Sequence, residues 1–217
     1  LILISIAALG GLAFSFDQNN VWAGVIAMTL AALDLAICAY IFGSSLFTLA
    51  ASSLFVLPFA IGFGRWLTDA GIALPMSWLI VAISGLAFAY ILIGAWLKKA
   101  PAHAGWLFAV GHVLAGAVLF LLPFDYLSNY IQWQFTPALV SLGIGIGIYL
   151  LSFVLQHSGQ HVSLTAISKW LPLGLGKSIF LWPIGALIPI WIAVAWHGYG
   201  LSNLWLGATL AGLGLAY

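Results

Sequence analysis

The 217-residue chain carries five Lys/Arg and four Asp/Glu, all of the latter aspartate, and its formal net charge is +1; 65% of its residues are hydrophobic and 4% are charged. A soluble domain has roughly one quarter charged residues, so this composition excludes a water-soluble fold. The near-neutral charge predicts no nucleic-acid binding, and the single cysteine, Cys38, excludes an internal disulfide.

The apolar runs are continuous rather than alternating with a period of two, which predicts an all-α, polytopic transmembrane helical bundle. A helix needs about 20 apolar residues to cross about 30 Å of hydrocarbon. That length predicts eight spans in a single membrane domain, 1–217: residues 1–16, 21–42, 46–63, 76–97, 105–122, 137–155, 178–196 and 204–217. The first run lacks a basic start and a cleavage site, so we interpret it as a shortened span rather than a signal peptide.

Charges in the breaks between spans predict the orientation. The second, fourth and sixth breaks carry the four lysines and no acid: Lys98, Lys99, Lys169 and Lys177. The other breaks carry Arg65 together with Asp17, Asp69 and Asp125. Because loops rich in Lys and Arg stay in the cytoplasm, we expect an inner-membrane protein with both termini of this segment cytoplasmic.

The spans also indicate an internal repeat. Even-numbered spans end in similar runs of small and apolar residues that close on Tyr40, Tyr90, Tyr149 and Tyr217, and odd-numbered spans share Pro58, Pro123 and Pro183. This predicts tandem helical hairpins at about 1–42, 46–97, 105–155 and 178–217. Glycines of the even spans, among them Gly143, Gly145 and Gly147, predict flat faces for close helix packing.

The best-defined hairpin begins at Gly105-Trp106, has spaced glycines at Gly111 and Gly116, and reaches Leu122-Pro123. Its return helix contains Gly147-Ile148-Tyr149-Leu150-Leu151. This hairpin resembles that of the HdeD-like acid-resistance membrane proteins, in which a Gly-Trp start, spaced glycines, a terminal proline and a similar return helix recur in tandem. The resemblance is best over residues 105–154. It implies an association with acid stress and brings no catalytic residues.

Asp34 is the only ionisable side chain well inside an apolar run, about thirteen residues into the second span. An ionisable residue at that depth is a hypothesis of function, as a proton carrier or a cation ligand. The alternative is a neutral aspartic acid that joins two helices through a backbone carbonyl or a serine. Ser84 and Ser5 are the candidate partners.

Four of the five histidines map to the predicted cytoplasmic half of the spans: His103, His112, His157 and His161. His112 is either a hydrogen-bonded core residue or, with the others, part of a pH-sensing cluster. His157 and His161 are four apart, the spacing of a metal-ligand pair on one helix face. Gly159 between them indicates a loop instead. We therefore predict no cofactor and no metal, with haem or a divalent metal as the open alternative.

Residues 123–136 contain five aromatic side chains, which predicts an interfacial helix at the outer surface. Elsewhere the chain lacks a Ser-His-Asp set at membrane depth, paired carboxylates and an HExxH motif. General acid–base chemistry has few candidate residues here, so we predict no enzymatic activity.

These observations predict a non-enzymatic integral membrane protein, related to stress or acid resistance or acting as a structural subunit of a membrane assembly. Its expected partners are the lipid bilayer and other membrane subunits, or further copies of itself. The alternative is a proton or small-solute transporter or channel that uses Asp34.

Overall fold

The computed structural model describes residues 2–15, 20–73, 75–97, 99–128, 135–157, 207–208 and 211. Within these residues the chain forms six α-helices and no strand. They are α1 (Ile2–Ser15), α2 (Val21–Phe42), α3 (Ser45–Asp69), α4 (Pro75–Trp96), α5 (Pro101–Ser128) and α6 (Phe135–His157). The predicted all-α class is confirmed for this part of the chain.

Four helices, α2 to α5, are long and apolar enough to cross a membrane. The protein is therefore a multi-pass integral membrane protein in contact with the lipid bilayer. The α1 helix has 14 residues, which is shorter than a full span, and α6 has 23. The seventh and eighth predicted spans fall outside the described residues except at 207–208 and 211, so the total of eight stays a prediction.

Glycines end two of the helices because they accept a left-handed backbone. The α2 helix ends at Gly43, where φ is 60°, and Ser44 then leads directly into α3. The α3 helix is followed by Gly71 with φ of 66°. There the Gly71 N–H donates to the Thr68 carbonyl and the Ile72 N–H donates to the Leu67 carbonyl. This pair of bonds is a Schellman motif, which satisfies carbonyls that the helix end leaves unpaired.

Prolines lie inside two helices rather than at their ends. Pro58 is a buried residue of α3, which continues to Asp69, and α5 continues through Pro123 to Ser128. The predicted interfacial helix over 123–136 is therefore wrong for residues 123–128, which extend the fifth span. A proline removes one backbone donor, and neighbouring groups in a packed membrane helix compensate for that loss. Residues 129–134 lie outside the described part.

The core is centred on α4, which packs against α3, α5 and α6. Its residues Ile80, Ala87 and Ile91 have no exposed surface, and neither do Leu142 and Ile148 of α6. The α6 helix packs more closely against α4 than against α5. The three helices α1, α2 and α3 pack in chain order beside this core.

Two hydrogen bonds fix which helix ends lie together. A bond between Thr48 and His103 joins the starts of α3 and α5, and one between Ser77 and Asp125 joins the start of α4 to the end of α5. Helices that are consecutive in the chain therefore run antiparallel, whereas α3 and α5 start at the same end and run parallel. We call the end of the bundle that contains the turns 43–44 and 97–100 the lysine end, because Lys99 lies there. The opposite end, with Asp69 and Asp125, is the aspartate end.

In the described part of the chain, one close approach of two helices occurs at Gly111 of α5. A Cβ at Gly111 would lie 2.8 Å from Ile91 Cγ1 and 2.9 Å from the Ala87 carbonyl oxygen of α4. At Gly143 and Gly147 a Cβ would meet no heavy atom of the described chain within 4 Å. These two glycines therefore make no close contact with the described helices, and their predicted packing role stays a prediction. Gly145 between them is buried and lies near Ser84 and Ala115.

Candidate functional site

Asp34 lies on the outer surface of the bundle. Its side chain is exposed. It lies on the face of α2 where four apolar side chains are each about half exposed or more: Leu30, Leu33, Ile37 and Ile41. These positions repeat at helical spacing, so the carboxyl group is surrounded by side chains that face lipid. Among the described residues no hydrogen-bond partner of Asp34 is present.

The two serines considered as partners of Asp34 have different surroundings. Ser84 is buried in α4, and its hydroxyl donates to the Ile80 carbonyl at 2.9 Å. It is therefore bonded within its own helix, and this candidate pairing with Asp34 is not formed. The Ser5 side chain lies outside the described part of the structure.

His112 forms a polar connection between α5 and α6. Its Nδ1 lies 2.7 Å from the Phe108 carbonyl oxygen, and its Nε2 lies 3.1 Å from Ser152 Oγ. Ser152 Oγ also lies 2.8 Å from the Ile148 carbonyl oxygen. The Tyr149 ring packs beside the imidazole with a centroid distance of 6.0 Å. His112 is thus part-buried, with a hydrogen-bonded group at each nitrogen.

This arrangement accommodates both protonation states of His112. The carbonyl of Phe108 accepts only, so Nδ1 carries a proton in either state. In the neutral ring, the Ser152 hydroxyl donates to Nε2. In the imidazolium, Nε2–H donates to Ser152 Oγ, and the serine proton turns to the Ile148 carbonyl. A proton on His112 is therefore coupled to the direction of one hydroxyl group.

His103 lies at the lysine end, near the start of α5. Its Nδ1 is 2.6 Å from Thr48 Oγ1 of α3, and the side chain is half-buried. A hydroxyl that donates to Nδ1 fixes the ring proton on Nε2. This bond connects two helices that are 55 residues apart along the chain.

The predicted histidine cluster is only partly tested by these positions. His103 and His112 are nine residues apart on α5, which corresponds to about 14 Å along the helix, so they do not share a site. His157 is the last residue of α6, its side chain is not described, and His161 lies outside the described residues. In the described ranges no three His, Cys, Asp or Glu side chains are grouped to hold a metal ion.

One buried polar pair escaped the sequence analysis. Asp125 is 2% exposed, and its Oδ2 accepts a hydrogen bond of 2.6 Å from the hydroxyl of Ser77, which is also 2% exposed. Asp125 falls in the break between the fifth and sixth spans, where the aromatic residues predict an interfacial helix. The spacing of Val118, Leu122 and Asp125 repeats at four and three residues, and this helical period was the signal that the buried face continues past the proline.

Comparisons with known proteins add no relationship: no family model, no curated protein and no solved structure matches this chain. The HdeD-like resemblance of residues 105–154 stays a prediction, as do the expected lack of a cofactor and the alternative of haem or metal.

Proposed function

We propose that the protein is a non-enzymatic subunit of a membrane assembly and that it contacts another subunit through the outer face of α2. The observation that supports this proposal is the position of Asp34, a carboxyl group exposed among Leu30, Leu33 and Ile37. An ionisable group at bilayer depth normally faces the bundle interior or a water-filled cavity, because lipid offers it no partner. A neighbouring helix supplies the partner that the described residues do not.

The occupant we propose is a transmembrane helix of a different subunit with a hydrogen-bond donor at the depth of Asp34. Lipid tails are as apolar as leucine, so helices associate through close packing and interhelical hydrogen bonds. The outward α2 face provides apolar side chains for packing and one acceptor for such a bond. A carboxylate favours a donor or a cation, whereas a second copy would place two carboxyl groups near each other.

Photocross-linking in the native membrane tests this proposal. A photoreactive residue at Ile37, on the Asp34 face, is compared with one at Leu92, an exposed residue of α4. We expect a discrete cross-linked product from position 37 that contains this protein and a second protein. The same product should form in Asp34→Asn. Asp34→Leu should lower its yield at least tenfold. Equal yields in wild type and Asp34→Leu would refute the proposal, and a product made of two copies of this chain would replace it with self-association.

Transport of protons through Asp34 is the competing function. The outward position of Asp34 disfavours it, because a proton carrier needs access to a polar path. Proton flux into liposomes containing wild type or Asp34→Asn separates the two functions. We expect both to equal protein-free liposomes, whereas flux that depends on Asp34 would support transport.

We also propose acid stress as the setting in which the subunit acts. His112 supports this, because its contacts to Phe108 and Ser152 suit both the neutral and the protonated ring. The HdeD-like resemblance points the same way. We expect deletion of the gene to lower survival at acidic pH and the wild-type gene to restore it. The His112→Gln variant keeps a polar amide but does not titrate, and we expect it not to restore survival. Full rescue by His112→Gln would show that survival at acidic pH does not depend on titration of His112.

A further inference from the structure

A large cavity lies at the lysine end between α2, α3, α4 and α5, and we call it the lysine-end groove. Its volume is about 580 Å³, and it follows α2 from Thr29 to Gly43. Pockets for small molecules have volumes of about 300–1,000 Å³. The groove is thus large enough for a ligand. It meets the Asp34 face at Leu33, but Asp34 is not among its lining residues.

The groove is deep relative to the membrane. The 14 residue steps from Thr29 to Gly43 correspond to about 21 Å at 1.5 Å per residue. The hydrocarbon core is about 30 Å thick, so the groove extends from one end of the bundle past the membrane centre. A ligand that fills this length lies along α2. It has to be a long chain that enters from the membrane–water interface.

The deep part of the groove offers apolar contacts. Thr29, Ser52 and Tyr90 are the polar side chains there, and each hydroxyl already donates to a backbone carbonyl, at 2.7, 2.8 and 2.8 Å. The remaining wall is formed by residues such as Ala32, Ala36 and Phe55. A hydrocarbon chain gains dispersion contacts along this wall and leaves no buried donor without a partner.

The mouth of the groove has the opposite character. Thr48 and His103 line it and are hydrogen-bonded to each other at 2.6 Å. When the Thr48 hydroxyl donates to Nδ1, or when the ring is protonated, the Nε2–H of His103 is a donor for a ligand. Exposed Lys99 lies in the turn between Leu97 and Ala100, two further lining residues. The described carboxylates lie elsewhere, at the aspartate end and on the outer face of α2. The mouth therefore favours an anion.

We propose that the lysine-end groove binds an anionic membrane phospholipid, with one acyl chain along α2 and the acidic headgroup at His103, Thr48 and Lys99. The apolar deep part of the groove contacts the acyl chain, and the cationic mouth selects an acidic headgroup. The site borders the proposed subunit contact at Leu33 but does not use the Asp34 carboxyl group.

Native mass spectrometry of the full chain in detergent tests the site. The probes are phosphatidylglycerol and phosphatidylcholine with identical acyl chains, and oleate as a free fatty acid. We expect one phosphatidylglycerol per chain, bound at least tenfold more tightly than either of the others. Binding of phosphatidylcholine with equal affinity would overturn the proposal, and so would tighter binding of oleate.

Two alanines of α2 give a matched pair of variants. Ala36 lines the groove, whereas Ala23 is exposed on the same helix outside it. We expect Ala36→Phe to lower phosphatidylglycerol affinity at least tenfold and Ala23→Phe to leave it within twofold, with equal Tm for both proteins. Equal affinities would contradict the proposed position of the acyl chain.

The headgroup contact has its own variant. We expect His103→Leu to reduce the preference for phosphatidylglycerol over phosphatidylcholine to less than threefold while one lipid per chain is still retained. Unchanged preference in His103→Leu would overturn the proposed headgroup site. Asp34→Leu, which disrupts the proposed subunit contact, should bind phosphatidylglycerol as wild type does, so failure of one proposal is distinguishable from failure of the other.

Discussion

Gly111 shows how one hydrogen atom in place of a methyl group sets the distance between two helices. A Cβ there would approach both a side chain and a backbone carbonyl of α4 within 3 Å, and a carbonyl cannot rotate away as a flexible side chain does. Gly116, five residues later on the same helix, would place a Cβ where the described chain has no heavy atom within 4 Å. The two glycines therefore differ in function although they look alike in the sequence.

We expect Gly111→Ala to destabilise the protein by about 1–3 kcal/mol, the usual cost of an extra carbon in a packed interface. Gly116→Ala should be neutral or slightly stabilising, because alanine is the better helix former by up to about 1 kcal/mol. Thermal unfolding in detergent, followed by tryptophan fluorescence, measures both. Equal Tm for the two variants would contradict the close contact between α4 and α5.

The two buried serines of α4 make a second contrast. Ser77 donates to the Asp125 carboxylate on another helix, whereas Ser84 donates to a carbonyl of its own helix. We expect Ser77→Ala to cost about 1–3 kcal/mol, because it removes a donor from a buried carboxyl group. Ser84→Ala should cost less than about 1 kcal/mol. A detergent titration measures the free energy of unfolding of both variants. No loss of stability in Ser77→Ala would show that the bond to Asp125 does not stabilise the fold.

At the level of the helices, continuity of α5 through Pro123 is the main difference from the sequence analysis. The exposed side chains Val113, Phe120 and Phe124 lie on one side, and the buried Val118, Leu122 and Asp125 lie on the other. Phe120 and Phe124 also pack ring to ring at 5.4 Å. The same period thus continues across the proline, and the helix keeps its orientation.

Spin-label accessibility along α5 tests this continuity. Cys38→Ser provides a cysteine-free background, since Cys38 is the only cysteine. Labels at single positions from 113 to 125 should show oxygen accessibility with a period of 3.6 residues, with maxima near 113, 117, 120 and 124. A scan of positions 30 to 41 on α2, which has no proline, is the control. Loss of the period after position 122 would show that the helix breaks at Pro123.

The sequence predicts helix ends well where special residues mark them, as at Asn20 and Gly43 on either side of α2. It does not predict which face of α2 points outward, because apolar residues cover the whole circumference and provide no inward side. The depth of Asp34 along α2 was therefore predictable from the sequence, whereas the outward direction of its side chain was not. Contacts such as Thr48 to His103 join residues 55 positions apart and depend on packing that local patterns do not specify.

At the scale of the whole molecule, the two ends of the bundle differ in charge, as the lysine-bearing breaks predict. Lys99 lies at one end, and Asp69 and Asp125 lie at the other. Arg65 also lies at the aspartate end, but its Nε is 2.9 Å from Asp69, so that cation is paired with an acid. The end with unpaired positive charge among the described residues is the one that carries Lys99, and the positive-inside tendency then favours that end in the cytoplasm.

Cysteine labelling in intact cells tests this orientation. In the Cys38→Ser background, Ala70→Cys reports on the aspartate end and Ala102→Cys reports on the lysine end without removing a lysine; both residues are exposed. We expect an impermeant maleimide to label position 70 in intact cells and position 102 only after permeabilisation. Leu92→Cys, which faces lipid, is the control and should remain unlabelled in both conditions.

The two possible departures from this result have different meanings. Only α4 crosses the membrane between positions 70 and 102, so labelling of both from the same side would show that α4 does not span the bilayer. Labelling of position 102 in intact cells, with position 70 protected, would keep the bundle and invert its orientation. In the inverted case the proposed phospholipid site at His103 would face the outer leaflet, and its occupant would have to come from the anionic lipids of that leaflet.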